Sequence, residues 1–227
     1  EAQIVPYPET LVQRADTHPM AYVADWMAGR GFAAARIGYE SDSYFLSPRA
    51  MATLQAGLPD ADFVDADLLV NWQRLVKSPA ELEVMRRAAR IAEAAMQTAW
   101  DGARAGVRQC DLMADVVATQ IRGTPDQGGD MPAIHPLILA GEAATTAHPL
   151  WTDALLEAGQ TIAFELGACA RRYNVGLART VHLGTPPDDL QRTAAAVEEG
   201  MAAVMDSLKA GAIAGDVHAA WQRVLDR

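Results

Sequence analysis

Cysteine is scarce in this sequence: Cys110 and Cys169 are the two in 227 residues. They are too few and too far apart for a disulfide framework or a Cys-x-x-Cys metal site, and such sparing use suits a reducing compartment. Both read as packing residues. No stretch approaches the roughly 20 consecutive apolar residues that a membrane-crossing helix needs. The amino terminus also lacks a basic segment followed by an apolar core and a cleavage site. A membrane partner is therefore not expected, and nothing directs the chain out of the cytoplasm. Basic charge is scarce as well. Lys and Arg number 19 against 29 Asp and Glu, giving a net charge of −10, and no Lys or Arg block is present to track a phosphate backbone. Nucleic acid is not an expected partner.

Half of the residues are hydrophobic, enough to bury a core for one or two domains. The first part mixes a helical stretch, "HPMAYVADWMAGRG", with three short strand candidates, "AARIGYE", "SYFLS" and "ADFVDAD". Gly29 and Gly31 are expected to end that helix. Ser47 and Pro48 are suited to cap and open the next one. This pattern indicates part of an α/β domain. "KSPAELEVMRRAARIAEAAMQTAWDGARAG" then reads as a long amphipathic helix, with Ser78 as cap, Pro79 at the first position and Glu81 completing a capping box. A second domain is expected to start here.

Residues 103–122 match residues 208–227 at a constant offset of 105. Gly106 meets Gly211 and Asp111 meets Asp216; upstream, Glu93 meets Glu198, Met96 meets Met201 and Asp101 meets Asp206. Such a match indicates a duplicated unit of two helices joined by a Gly turn, with the Asp capping the second helix. The first unit continues into strands after residue 122, whereas the chain stops at the end of the second helix pair. The second set of strands is thus expected to be missing. The first residue is Glu1 rather than Met, so the beginning of the gene product is also expected to lie outside this numbering.

One strand candidate carries a lone acid: "FELGACARRYNVGLART", residues 164–180, sets Glu165 in an apolar run. Together with the long helix and the repeat, this segment resembles the creatinase/prolidase, or pita-bread, superfamily, which includes peptidase M24-like proline-specific and methionine aminopeptidases. Its metallopeptidase members carry Asp-x-Gly, a Tyr eight residues after the Asp, a second Asp three residues further on, and a closing Arg-Thr. Here Glu165 and Gly167 stand for the first element, Tyr173 follows at the family spacing, and Arg179 and Thr180 close the motif. The second acid is replaced by Gly176. A pair of divalent ions needs several hard oxygen ligands, and one Glu cannot bridge and neutralise two of them. No metal and no cofactor are therefore expected.

Within the superfamily this is the pattern of the metal-free hydrolases, the creatinases and ectoine hydrolases. The similarity to ectoine hydrolases runs through "GYESDSYFLSP", "DADLLVNW", "RQCD", "QIRGTP", "GGD" and "LARTVHLG". Where those enzymes tend toward "HRYHCPLART" and "ELAG", this chain has "RRYNVGLART" and "ELGA", so Asn174 stands in place of a His. The resemblance implies an α/β (α+β) fold. Residues 1–75 would form a partial creatinase-like amino-terminal domain, and 76–227 the first part of a pita-bread domain. It also implies a homodimer acting on a small zwitterionic substrate, the cyclic amidine ectoine, whose ring it opens to an N-acetylated diaminobutyrate.

In that reading Glu165 and His148 do the chemistry. His148 occupies the position of the peptidases' first active-site His on a loop before the acidic strand. Arg171, Arg172, Tyr173 and Arg179 are the substrate-binding candidates. Glu165 has a structural alternative, an acid paired with Arg171, Arg172 or Arg179, because Glu is rarely buried unpaired. Tyr173 and Arg179 either touch substrate or hydrogen-bond across the hairpin. His135 and His182 alternate with apolar residues and read as satisfied strand histidines, while His18 and His218 read as surface helix residues. The other functional readings are a creatinase-like amidinohydrolase, a metal-dependent Xaa-Pro dipeptidase and a non-catalytic pita-bread binding module.

Overall fold

A computed structural model describes residues 4–227. The chain divides into two compact units, Glu1–Lys77 and Ser78–Arg227. The first contains α1 (Pro19–Ala28), β1 (Arg36–Tyr39), α2 (Pro48–Gly57), β2 (Asp62–Asp65) and α3 (Leu69–Leu75). β1 and β2 are parallel, with Arg36 opposite Asp62 and Tyr39 opposite Asp65. α1 and α2 pack together around Ala24, Leu54 and Leu58, and Ile37 and Phe63 of the strands close that core.

The local signals explain these boundaries, with two corrections. Ser47 accepts the Ala50 N–H and caps α2. His18 is no surface helix residue: its Nδ1 accepts the Met20 N–H at 3.1 Å, making it the cap of α1. The "SYFLS" segment is a turn rather than a strand. The hydroxyl and backbone N–H of Ser41 both donate to the Asp65 carboxylate, which bends the chain away from a strand path. Tyr44 and Phe45 consequently stand 99% and 95% exposed. The hydroxyl and N–H donors, the Ser41 hydroxyl foremost, hold the Asp65 carboxyl below its ordinary value.

The second unit contains α4 (Pro79–Gly102), α5 (Gln109–Arg122), β3 (Leu137–Ala140), β4 (Thr161–Ala170), β5 (Tyr173–His182), α6 (Asp188–Ser207) and α7 (Ala214–Leu225). α4 starts with both halves of the capping box, Ser78 Oγ on the Glu81 N–H and Glu81 Oε2 on the Ser78 N–H. The three strands form an antiparallel sheet in the order β3-β4-β5. Strand alternation turns Ile162, Phe164, Leu166 and Ala168 toward the helices, where they are at most 2% exposed. They meet Ile91, Ala92, Ala95, Met96 and Ala99 of α4 and Leu112, Met113 and Val116 of α5. Each large side chain so buried contributes about 1.5–3 kcal/mol.

The offset of 105 residues recurs in the backbone. α4 and α6 end at Gly102 and Ser207, and α5 and α7 begin at Gln109 and Ala214. Between them Gly106 and Gly211 take φ of +87° and +88°, a conformation that glycine adopts without the Cβ penalty. The expected Asp caps are absent. Asp111 lies in the first turn of α5 and accepts two hydrogen bonds from Arg108, at 2.8 and 2.7 Å, while Asp216 lies in the first turn of α7 without a capping bond. In both helices the acid instead complements the positive end of the helix dipole.

Candidate functional site

Glu165 lies in the middle sheet strand, between Leu137 of β3 and Ala178 of β5. Phe164 and Leu166 point into the core, so Glu165 projects from the opposite face, where it is partly buried. Its carboxylate makes no hydrogen bond or ion pair with any described residue. The pairing with Arg171, Arg172 or Arg179 is therefore not seen, and the acid stands with an apolar residue on either side.

The register decides which residues share that face. Cross-strand partners lie on the same side of a sheet, and β4 pairs with β5 without interruption from Thr161–His182 to Ala170–Tyr173. The Glu165 face thus receives Asn174, Gly176, Ala178, Thr180 and His182 from β5. Tyr173 and Arg179, opposite Ala170 and Phe164, belong to the helix-facing side. Tyr173 donates its hydroxyl to Glu81 Oε1 at 2.8 Å, tying the hairpin to the start of α4. Arg179 is exposed and donates to the Ala178 carbonyl.

Arg171 and Arg172 form the two-residue turn between β4 and β5, with φ of +46° and +66°, the left-handed pair of a type I′ hairpin. The Asp130 carboxylate braces this turn by accepting the Arg172 N–H at 3.2 Å. From Glu165 to Arg171 the strand runs six residues, about 20 Å at the usual rise. A guanidinium at the tip does not reach a compact ligand at Glu165 of the same chain. The structure therefore brings none of the four substrate-binding candidates beside Glu165.

His148 follows the 3₁₀ turn Gly141–Thr145, which packs on β4 at the end of β3. It is exposed, and its imidazole has no hydrogen-bond partner among the described residues. Its φ of +53° is left-handed although Pro149 follows. A residue before proline normally stays extended, and a non-glycine residue held in the left-handed region costs on the order of 1–3 kcal/mol. Among the other histidines, His182 is satisfied by Thr161 Oγ1 at 3.0 Å. His135 is exposed outside the strands, with its ring edge-on to Trp151 at 6.3 Å. His218 is exposed on α7.

Three residues shape the site without having been singled out as functional groups. Gln120 is 2% exposed, and its side-chain amide donates to the Gly167 carbonyl. Gly167 lies beyond the start of β3, so that edge of β4 has no strand rung there, and Gln120 supplies one. Asn174 accepts the Ala133 N–H at 2.9 Å and holds the 130–135 loop against the sheet. Thr180 is exposed on the Glu165 face, with its hydroxyl unpartnered among the described residues. Strand parity was the available signal for Thr180. Gln120 opens the "QIRGTP" segment, but nothing in that segment marks its amide as a support for β4, so only the packing reveals this role. Both cysteines are free thiols; Cys169 is buried, and that burial pushes its thiol above the usual value.

Among the described residues, the donors this face offers are too few for a pair of divalent ions. The β5 residues around Glu165 are Gly176, Ala178 and Thr180, none of them a carboxylate. Among the described residues no group of three or more His, Cys, Asp or Glu is placed to hold a metal.

A structure of Xaa-Pro dipeptidase from Bacillus anthracis superposes with a TM-score of 0.79 over 95% of this chain and 58% of its own, at 23% identity. In sequence the chain is 34% identical to an ectoine hydrolase of Halomonas elongata, over 97% of this chain and 57% of the relative. It is 35% identical to an uncharacterized hydrolase/peptidase of Sinorhizobium fredii, over 98% of this chain and 57% of that relative. The chain thus spans a little over half the length of these relatives. The resemblance to the creatinase/prolidase superfamily and the mixed α/β fold both hold. Residues 83–227 match the model of metallopeptidase family M24, and since that match takes in the whole Glu165 sheet and all but the first turn of the two helix pairs, the chain belongs to this family.

Proposed function

We propose that the full-length enzyme is a metal-independent hydrolase that opens the cyclic amidine ring of ectoine. The observation that carries the reading is the isolated carboxylate: Glu165 has no partner among the described residues, and the position across the sheet where a second acid would complete a metal pair is Gly176. A partly buried acid without a counter-ion favours a cationic ligand that restores neutrality. A delocalised amidinium beside a carboxylate has that character. The sequence similarity to an ectoine hydrolase supports the same choice. In this proposal Glu165 pairs with the amidinium, or adds to its ring carbon as nucleophile. His148 takes a proton from water and returns it to the departing ring nitrogen. Water adds across the C–N bond, and the product is an N-acetylated diaminobutyrate. Such an enzyme would be a cytoplasmic homodimer.

The test is to incubate the full-length enzyme separately with ectoine, hydroxyectoine, creatine and a Xaa-Pro dipeptide, following products by mass and NMR, with and without a chelator. Ring opening of ectoine, unaffected by chelation, is the expected result. Turnover of the dipeptide that chelation abolishes and manganese or cobalt restores would give the peptidase reading instead. Turnover of creatine alone would overturn the substrate. No turnover of any of them would favour a binding module.

A further inference from the structure

Gly176 is unexplained by the fold. It lies within β5, directly opposite Gly167 and diagonal to Glu165. Glycine weakens a strand, because it loses more backbone freedom on folding and offers no side chain to pack. Such a residue is kept where φ is positive or a neighbour crowds the Cβ position. Neither holds here. Gly176 is absent from the positive-φ residues, and a Cβ built on it meets nothing within 4 Å. At Gly167 a Cβ would make only ordinary contacts, 3.8 Å from both Ile134 Cγ1 and Pro132 Cβ. Gly176, which is exposed, therefore leaves a bare strip of backbone beside the carboxylate, while Gly167 opposite it is buried. Ile134 and Pro132 border it on one side, and Thr180 stands further along the same face.

We infer that Gly176 is a specificity-determining residue: the strip it leaves open seats the flat ring of the substrate beside Glu165, and its bareness sets how bulky a ring is accepted. The inference rests on the proposed ring-opening reading for its ligand, but its geometry does not. Gly176→Ala and Gly176→Val, made in the full-length enzyme, fill the strip in steps, the first by a Cβ that meets nothing within 4 Å in this structure. The expected result is a graded loss of kcat/KM, larger for hydroxyectoine than for ectoine, reaching at least about tenfold for Val on the larger ring, the scale of one or two misfitted carbons in a binding pocket. The melting temperature should be unchanged or higher, since a β-branched residue suits an open strand position. Unchanged kinetics, equal losses on both rings, or a fall in melting temperature with the loss would each overturn the inference. If the wild-type enzyme opens neither ring, the proposed function fails by itself. The same series is then read on whichever panel substrate it does turn over, where graded loss upholds the seat and its absence refutes it.

Discussion

Replacing Glu165 by Gln separates a working carboxylate from a structural one, because the two roles have opposite consequences for stability and rate. In the structure the carboxylate has no ion pair or hydrogen bond to a described residue and lies between Leu137 and Ala178. Removing its charge orphans no partner, so the stability change should stay within about 0.5 kcal/mol, as for substitutions away from packed or paired groups. That corresponds to a melting shift of about 2 °C or less. Had Glu165 been one half of a buried ion pair, breaking it would cost about 3–5 kcal/mol. Turnover should respond differently. An electrostatic or proton-transferring group is worth about a hundredfold or more in rate, which is about 2.7 kcal/mol of barrier at 1.36 kcal/mol per decade. The assay is thermal melting beside steady-state turnover of ectoine, both on the full-length protein. Near-normal turnover, or a loss of rate accompanied by a melting drop of several degrees, would refute the reasoning.

Two further outcomes are expected. His148→Ala should lower turnover by at least about a hundredfold, and the Glu165→Gln/His148→Ala double variant should lose less than the product of the two single losses, as groups acting in one step do. Independent losses would show that the two residues do not work together. Gln120→Leu should destabilise the protein by about 1–3 kcal/mol, because the Gly167 carbonyl at the end of the β3 edge loses its donor. Denaturant unfolding measures this, and an unchanged midpoint would show that another donor satisfies that carbonyl.

Helix positions were legible because their signals are local. Ser47, Ser78, Pro79 and Glu81 cap or open their helices through neighbours within four residues, and Gly106 and Gly211 mark equivalent turns by conformations that a chain of L-residues otherwise avoids. Glu165 was visible for a similar reason, as a charge that interrupts an apolar run. The corrections arose where a side chain had competing uses. His18 and Asp111 are each able to serve as a cap, and the choice followed from whether a backbone N–H or the Arg108 guanidinium lay nearer. Tyr44 and Phe45 have strand-like composition but lie in a turn held by Ser41 and Asp65, residues 24 apart in sequence.

What surrounds Glu165 belongs to the tertiary structure. Composition and motif spacing determined the family, the apolar face of β4 and the missing second acid, since each depends on residue identity and order alone. Which side chains share a face with Glu165 depends on the β4–β5 register and the hairpin turn, and a shift of one residue would have exchanged Thr180 and Asn174 for Arg179 and Tyr173. The register places Tyr173 against α4 and the two arginines at the hairpin tip. It also sets Gly176 opposite Gly167, opening the strip beside the acid. Such juxtapositions arise only when strands distant along the chain pair through backbone hydrogen bonds, and those groups are the same in every residue except proline.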